Sequence, residues 1–161
     1  PATYLPSATA ETARDTNSIA EEIFGRPRPE GDLMTERSYS RNDDDLIAEI
    51  GRNAAGRGWS GSRQAATDDA MRELARRAGT ATGDVVEDRS AGARELAKST
   101  PYAVAILREL GHKQNGLTDA VIVADTLQSM KTPESRAALR DLASNGSDVH
   151  MREEARRALG D

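Results

Sequence analysis

Thr100-Pro101-Tyr102-Ala103-Val104-Ala105-Ile106-Leu107-Arg108-Glu109-Leu110 is repeated in kind 32 positions later as Thr132-Pro133-Glu134-Ser135-Arg136-Ala137-Ala138-Leu139-Arg140-Asp141-Leu142. The copies coincide in identity at Thr, Pro, Ala, Leu, Arg and Leu. They continue in kind through Leu117, Val123 and Leu127 in the first and Val149, Ala155 and Leu159 in the second. Thr-Pro ahead of an apolar period of three to four is a helix start, with Thr as N-cap and Pro at the first helical position. Each copy reads as a short helix, a polar turn and a second helix. Such a unit cannot bury its apolar stripe alone, so the copies are expected to stack.

Working outward, the last 60 or so residues divide into four predicted helices, at about 101–110, 117–130, 133–143 and 148–159. Gly111, Asn115-Gly116, Asn145-Gly146 and Gly160 separate them. Upstream, Ala66, Ala70, Met71, Leu74, Ala75 and Ala78 step by three and four from a start at Ser60 or Ser62, and Gly79 closes that helix. Val85 and Val86 then lead to Ser90, read as the N-cap of a helix carrying Ala93, Leu96 and Ala97. This pair reads as a third, degenerate copy of the kind expected at the end of a repeat array; Arg72-Glu73-Leu74 echoes Arg108-Glu109-Leu110, but at a spacing of 36 instead of 32. Asn42-Asp43-Asp44-Asp45 caps a helix with Leu46, Ile47 and Ile50, which Gly51, Gly56 and Gly58 should keep short. No segment alternates apolar and polar residues in the manner of a strand. The expected fold is all-α, with stacked helical hairpins or an irregular bundle of about six helices over residues 46–161.

Residues 1–45 have a different composition, with four of the six prolines (Pro1, Pro6, Pro27 and Pro29) and many Ser, Thr, Glu and Arg. They read as a flexible or partner-ordered arm holding one amphipathic helix at about 11–24. Ile19 and Ile23 lie four apart on that helix, with Ala20 and Phe24 on a neighbouring stripe. Gly25 and Arg26-Pro27-Arg28-Pro29 end it. Such a helix docks either on its own domain or on a partner.

The 161-residue chain carries a formal charge of −5, only 3% aromatic residues and no cysteine. Its core must therefore be built of Leu, Ile, Val and Ala, which suits closely packed helices. Disulfides, thiolate metal sites and a Cys nucleophile are excluded. No apolar run approaches the ~18 residues of a membrane span, and a cytoplasmic protein is expected. The acidic balance argues against general affinity for nucleic acid.

Arg136-Ala137-Ala138-Leu139-Arg140-Asp141-Leu142, followed by Asp148-Val149, Arg152, Ala155 and Ala158-Leu159-Gly160, resembles a HEAT-type repeat of the short kind seen in phycobilin-lyase-like proteins. In that family Asp-Val-x-x-Arg opens the second helix and Ala-x-x-Ala-Leu closes it. The match covers about 30 residues well and the preceding copy loosely. That copy has Leu117-Thr118 in place of Asp-Val and Ala120 in place of the Arg. The resemblance implies a scaffold that binds other proteins on the face lined by second helices, and no particular chemistry.

Motifs that would carry chemistry lack their context. Gly56-Arg57-Gly58-Trp59-Ser60-Gly61 spells a dinucleotide-binding pattern, but no strand precedes it; Trp59 reads instead as an anchor of the loop. His112 and His150 have no convergent ligands at metal-binding spacing and read as surface residues. Glu21-Glu22 and Glu153-Glu154 are adjacent on helices and point apart. Arg76-Arg77 and Arg156-Arg157 close helices, where cations suit the dipole. No catalytic, cofactor-binding or metal-binding residue is assigned, and no cofactor.

The function expected is a non-enzymatic protein-interaction or scaffold module. Its contact residues would be Ile19, Ile23 and Phe24 on the arm, with Asp119, Asp125, Arg152 and Arg156 on the outward side of the second helices. A minor structural or connector component of a phage particle or other large assembly is the alternative, because neighbours order an arm too polar to fold alone. In that case the chain resides within a virion. A DNA-binding regulator is the remaining alternative. Helix 117–130 carries Asp119 and Asp125 and no basic residue before Lys131, which suits a major groove badly.

Overall fold

The computed structural model describes residues 17–34, 42–56 and 58–160. Among them it contains eight α-helices and no strand. They are α1 (Asn17–Phe24), α2 (Asp43–Ala54), α3 (Gly61–Arg77), α4 (Val85–Ser99), α5 (Ala103–Gly111), α6 (Leu117–Met130), α7 (Pro133–Asn145) and α8 (Val149–Leu159), with a 3₁₀ turn at Glu30–Asp32. From Asp43 onward there are seven helices rather than six. Residues 1–16 and 35–41, about half of the expected arm, lie outside the described residues.

Consecutive helices pair as α3 with α4, α5 with α6, and α7 with α8. First helix then stacks on first (α5 on α7), and second on second (α4 on α6, α6 on α8). The interior is one continuous cluster of aliphatic side chains, including Leu46, Ile50, Leu74, Leu96, Ile106, Leu107, Leu110, Leu127, Leu139 and Leu142. Apolar burial drives this assembly, at about 25 cal/mol per Å² removed from water.

The turns between first and second helices register the stack. Ser147 donates its N–H to the Gly111 carbonyl at 3.0 Å and its hydroxyl to the Gln114 carbonyl. Asp148, the N-cap of α8, accepts from Met151 N–H at 2.9 Å and from Gly116 N–H at 2.7 Å. Burial pushes the Asp148 carboxyl up, but these two N–H groups, together with the nearby His150 and Arg152, outweigh it and hold the carboxyl below its ordinary range. His112 Nε2 meets Asp141 Oδ2 at 2.7 Å, both side chains being largely buried. His112 is therefore a joint between hairpins, not the surface residue its sequence context suggested; His150 is exposed.

The third copy is in register more closely than its sequence shows. The N-caps of the three second helices, Asp84, Gly116 and Asp148, lie 32 positions apart. Asp84, not Ser90, caps α4, accepting from Glu87 N–H at 2.9 Å. Ser90 falls inside the helix. The residues that open these helices, Val85, Leu117 and Val149, are half-exposed at 50%, 54% and 49%. Each is the first residue of its helix and lies outside the core, although Leu117 and Val149 belong to the apolar frame that the copies share.

The two Thr-Pro starts also diverge. Thr132 caps α7 in a reciprocal capping box with Ser135. Thr100 instead accepts from Tyr102 N–H at 3.2 Å and closes a turn, and α5 begins only at Ala103. Tyr102 there packs edge-to-face on Phe24 of α1, with ring centroids 5.8 Å apart.

Candidate interaction groove

Helix α1 packs on α2 and α5, and its two apolar stripes face different surroundings. Ala20 is buried, and Phe24 lies against the core and against Gly51 of α2. Gly51 does not shorten α2, which runs through it to Ala54. A Cβ at that position would overlap the Phe24 ring, so the missing side chain is what lets α1 approach. The chain behind α1 is pinned as well. Arg28 pairs with the buried Glu49 at 3.3 Å, Ser60 donates to Glu30 at 2.5 Å, and Arg63 donates to the Arg28 carbonyl at 2.6 Å.

Ile19 and Ile23, the other stripe, are half-buried and line an open groove of about 780 Å³. Pro101, Tyr102, Val104 and Ala105 of the α5 segment, Ala137 and Ala138 of α7, and Met130 at the end of α6 line it as well. Its polar members are Thr100, Thr132, Arg108 and Glu134. Ala97, Met130 and Thr132 continue into an adjoining recess of about 490 Å³ that also contains Arg94, Lys98 and Ser129.

The sequence-proposed contact residues thus part company. Ile19 and Ile23 meet in the groove, whereas Phe24 is committed to the chain's own core. Asp119 does not face outward. It is 8% exposed and accepts from Arg89 and, at 3.3 Å, from Gln64. Arg152 donates to the Gly146 carbonyl at 3.0 Å on its own hairpin. Asp125 and Arg156 are exposed, but neither lines the groove. The groove opens between α1 and the first helices, not on the second-helix face that the repeat resemblance pointed to.

Groove residues that sequence reasoning passed over carried a usable signal. Ala105 and Ala137 are identical between copies and belong to the apolar frame, yet Ala105 is half-buried and Ala137 exposed. On a helical wheel both sit beside the buried stripe formed by Ile106, Leu107 and Leu110, or by Ala138, Leu139 and Leu142, not on it.

Trp59 anchors its loop, donating from Nε1 to Gln64 Oε1 at 2.9 Å. Gln64 in turn donates to Asp68 at 3.4 Å, and Arg89 lies 3.1 Å from the same carboxylate. This cluster joins α3, α4 and α6 beneath the surface. Among the described residues no three His, Asp or Glu groups are placed to hold a metal ion, and no described helix is long and apolar enough to cross a membrane. No family model, curated protein or solved structure matches this chain.

Proposed function

We propose that the chain is a protein-interaction module that seats a partner segment in the α1–α5–α7 groove. One observation carries this reading: α1 commits Ala20 and Phe24 to its own domain and presents Ile19 and Ile23 to an open apolar groove. A helix serving only as a cover would need one apolar stripe, and a second, half-buried one offers surface to be covered. The stacking of α5 on α7, and of α4 on α6 on α8, supports a short HEAT-like repeat as the scaffold.

Selection from a library of helical peptides tests the site. Selected binders are expected to shift the amide and methyl resonances of Ile19, Ile23, Val104, Ala105 and Ala137. Ile19→Asp with Ile23→Asp should lower their affinity at least about 100-fold, because two charges replace apolar contacts in the same groove, while helical circular dichroism persists. Ala137→Trp, which fills the floor from an exposed position, should act the same way without disturbing α1. Binders that shift other residues, or that ignore both variants, contradict the proposal.

A further inference from the structure

We infer that the occupant of this groove is an acidic amphipathic helix. The inference rests on the groove reading above and adds the chemistry of the partner. The chain as a whole is acidic, with 27 Asp and Glu against 22 Lys and Arg. The groove and its adjoining recess reverse that balance, being lined by Arg94, Lys98 and Arg108 against Glu134 alone. Lys98 is well exposed, and its one ion-pair contact, with Glu95, is long at 4.0 Å. Arg94 is exposed and has no ion-pair partner among the described residues. Cations gathered beside an apolar trough select the charge of what enters it and speed its arrival.

The lining also selects a helix over an extended chain. A bound strand must find partners for every backbone N–H and C=O group along its length, and the groove is lined mainly by apolar side chains, with only Thr100, Thr132, Arg108 and Glu134 polar. A helix satisfies its backbone internally and needs only an apolar stripe at i, i+3, i+4 and i+7. The small side chains Ala97, Ala105 and Ala137 let such a helix come close.

The test uses three fluorescein-labelled peptides of about 18 residues, long enough to be partly helical. The first carries leucine at i, i+3, i+4 and i+7 positions with Glu elsewhere. The second keeps the leucines and replaces Glu by Lys, and the third keeps Glu and replaces leucine by serine. By anisotropy the full chain should bind the first at least about tenfold more tightly than either other, with the advantage over the lysine peptide shrinking as salt rises. Arg94→Glu with Lys98→Glu should reduce that affinity about tenfold. These two residues are exposed, so the variant should fold normally. A lysine peptide that binds as tightly as the Glu peptide, or charge reversal without effect, overturns the acidic occupant. The groove itself stands in that case if Ile19→Asp with Ile23→Asp still abolishes binding of both leucine peptides. Glu-peptide binding that survives the isoleucine changes removes the groove reading too. Sedimentation showing a dimer that the isoleucine changes dissolve would assign the groove to a second copy instead.

Discussion

Replacing Gly92 by alanine should destabilise the protein by about 3 kcal/mol, although alanine is the better helix former. Gly92 lies in the middle of α4 and is buried. In an exposed helix interior, Gly→Ala gains about 1 kcal/mol. Here a Cβ would overlap the backbone carbonyl of Met71 on α3, and a backbone cannot rotate away as a side-chain tip can. The α3–α4 hairpin must spread, and Leu74, Ala93 and Leu96 lose contact in the shared core. Overpacking costs about 1–3 kcal/mol, occasionally more; a clash with backbone atoms puts this case above that range, so that about 3 kcal/mol remains after the propensity gain is set against it. Urea unfolding checks it, and in a thermal melt the midpoint should fall by about 6–12 °C. A variant as stable as wild type would mean that these two helices do not meet at Gly92.

Arg89→Met should cost a similar amount, about 3 kcal/mol at pH 7, for an electrostatic reason. Arg89 reaches Asp68 at 3.1 Å and also binds Asp119, joining α4 to α3 and α6. Losing it leaves two carboxylates in a mostly buried site with no cation between them, and breaking a buried pair by removing one partner costs about 3–5 kcal/mol. The lower end applies because Asp68 keeps 23% of its side chain in contact with water. Even in the wild type the Asp68 carboxyl is pushed above its ordinary range, chiefly by burial and also by Asp119, against the pull of Arg89. A carboxyl raised in the folded state binds its proton more tightly there. The stability it contributes is complete below its unfolded pKa and is lost as pH rises through the folded value. Without Arg89 that penalty on Asp68 grows, because burial and the Asp119 charge remain and the opposing cation is gone. The deficit of the variant should therefore be largest at neutral pH and shrink as the solution is acidified through the carboxylate range. Asp68→Asn with Asp119→Asn in the Arg89→Met background should recover most of the loss. A pH-independent deficit would show that packing of the arginine stem, not charge, ties these helices.

Sequence reveals those parts of the fold that leave a local trace. The helices of the last 60 residues do, because Thr132-Pro133, Asp148 and the three-to-four period of Leu139 and Leu142 are local signals. The start of α4 was misplaced because Val85 and Val86 look like core while sitting half-exposed beyond a cap. Ser90 was a plausible cap and Asp84 the real one. Asp119 read as surface because an isolated acid on a helix usually is; its partners, Arg89 and Gln64, lie 30 and 55 positions away. The isoleucines of α1 were found from their spacing, but the groove beside them was not. It is made by α1, α5 and α7 together, and no single segment encodes it.

The groove depends on a row of stacked hairpins, α4 beside α6 beside α8, that leaves α5 and α7 free to line it. The chain has no cysteine, and the half-exposed Val85, Leu117 and Val149, each opening one of these helices, offer three sites for spin labels. Electron paramagnetic resonance of the paired cysteine variants should place positions 85 and 117, and 117 and 149, about one helix spacing of 8–10 Å apart. Positions 85 and 149 should lie about twice that distance apart. An 85–149 separation no longer than the other two would mean a closed bundle in which α4 meets α8, and would contradict the stack.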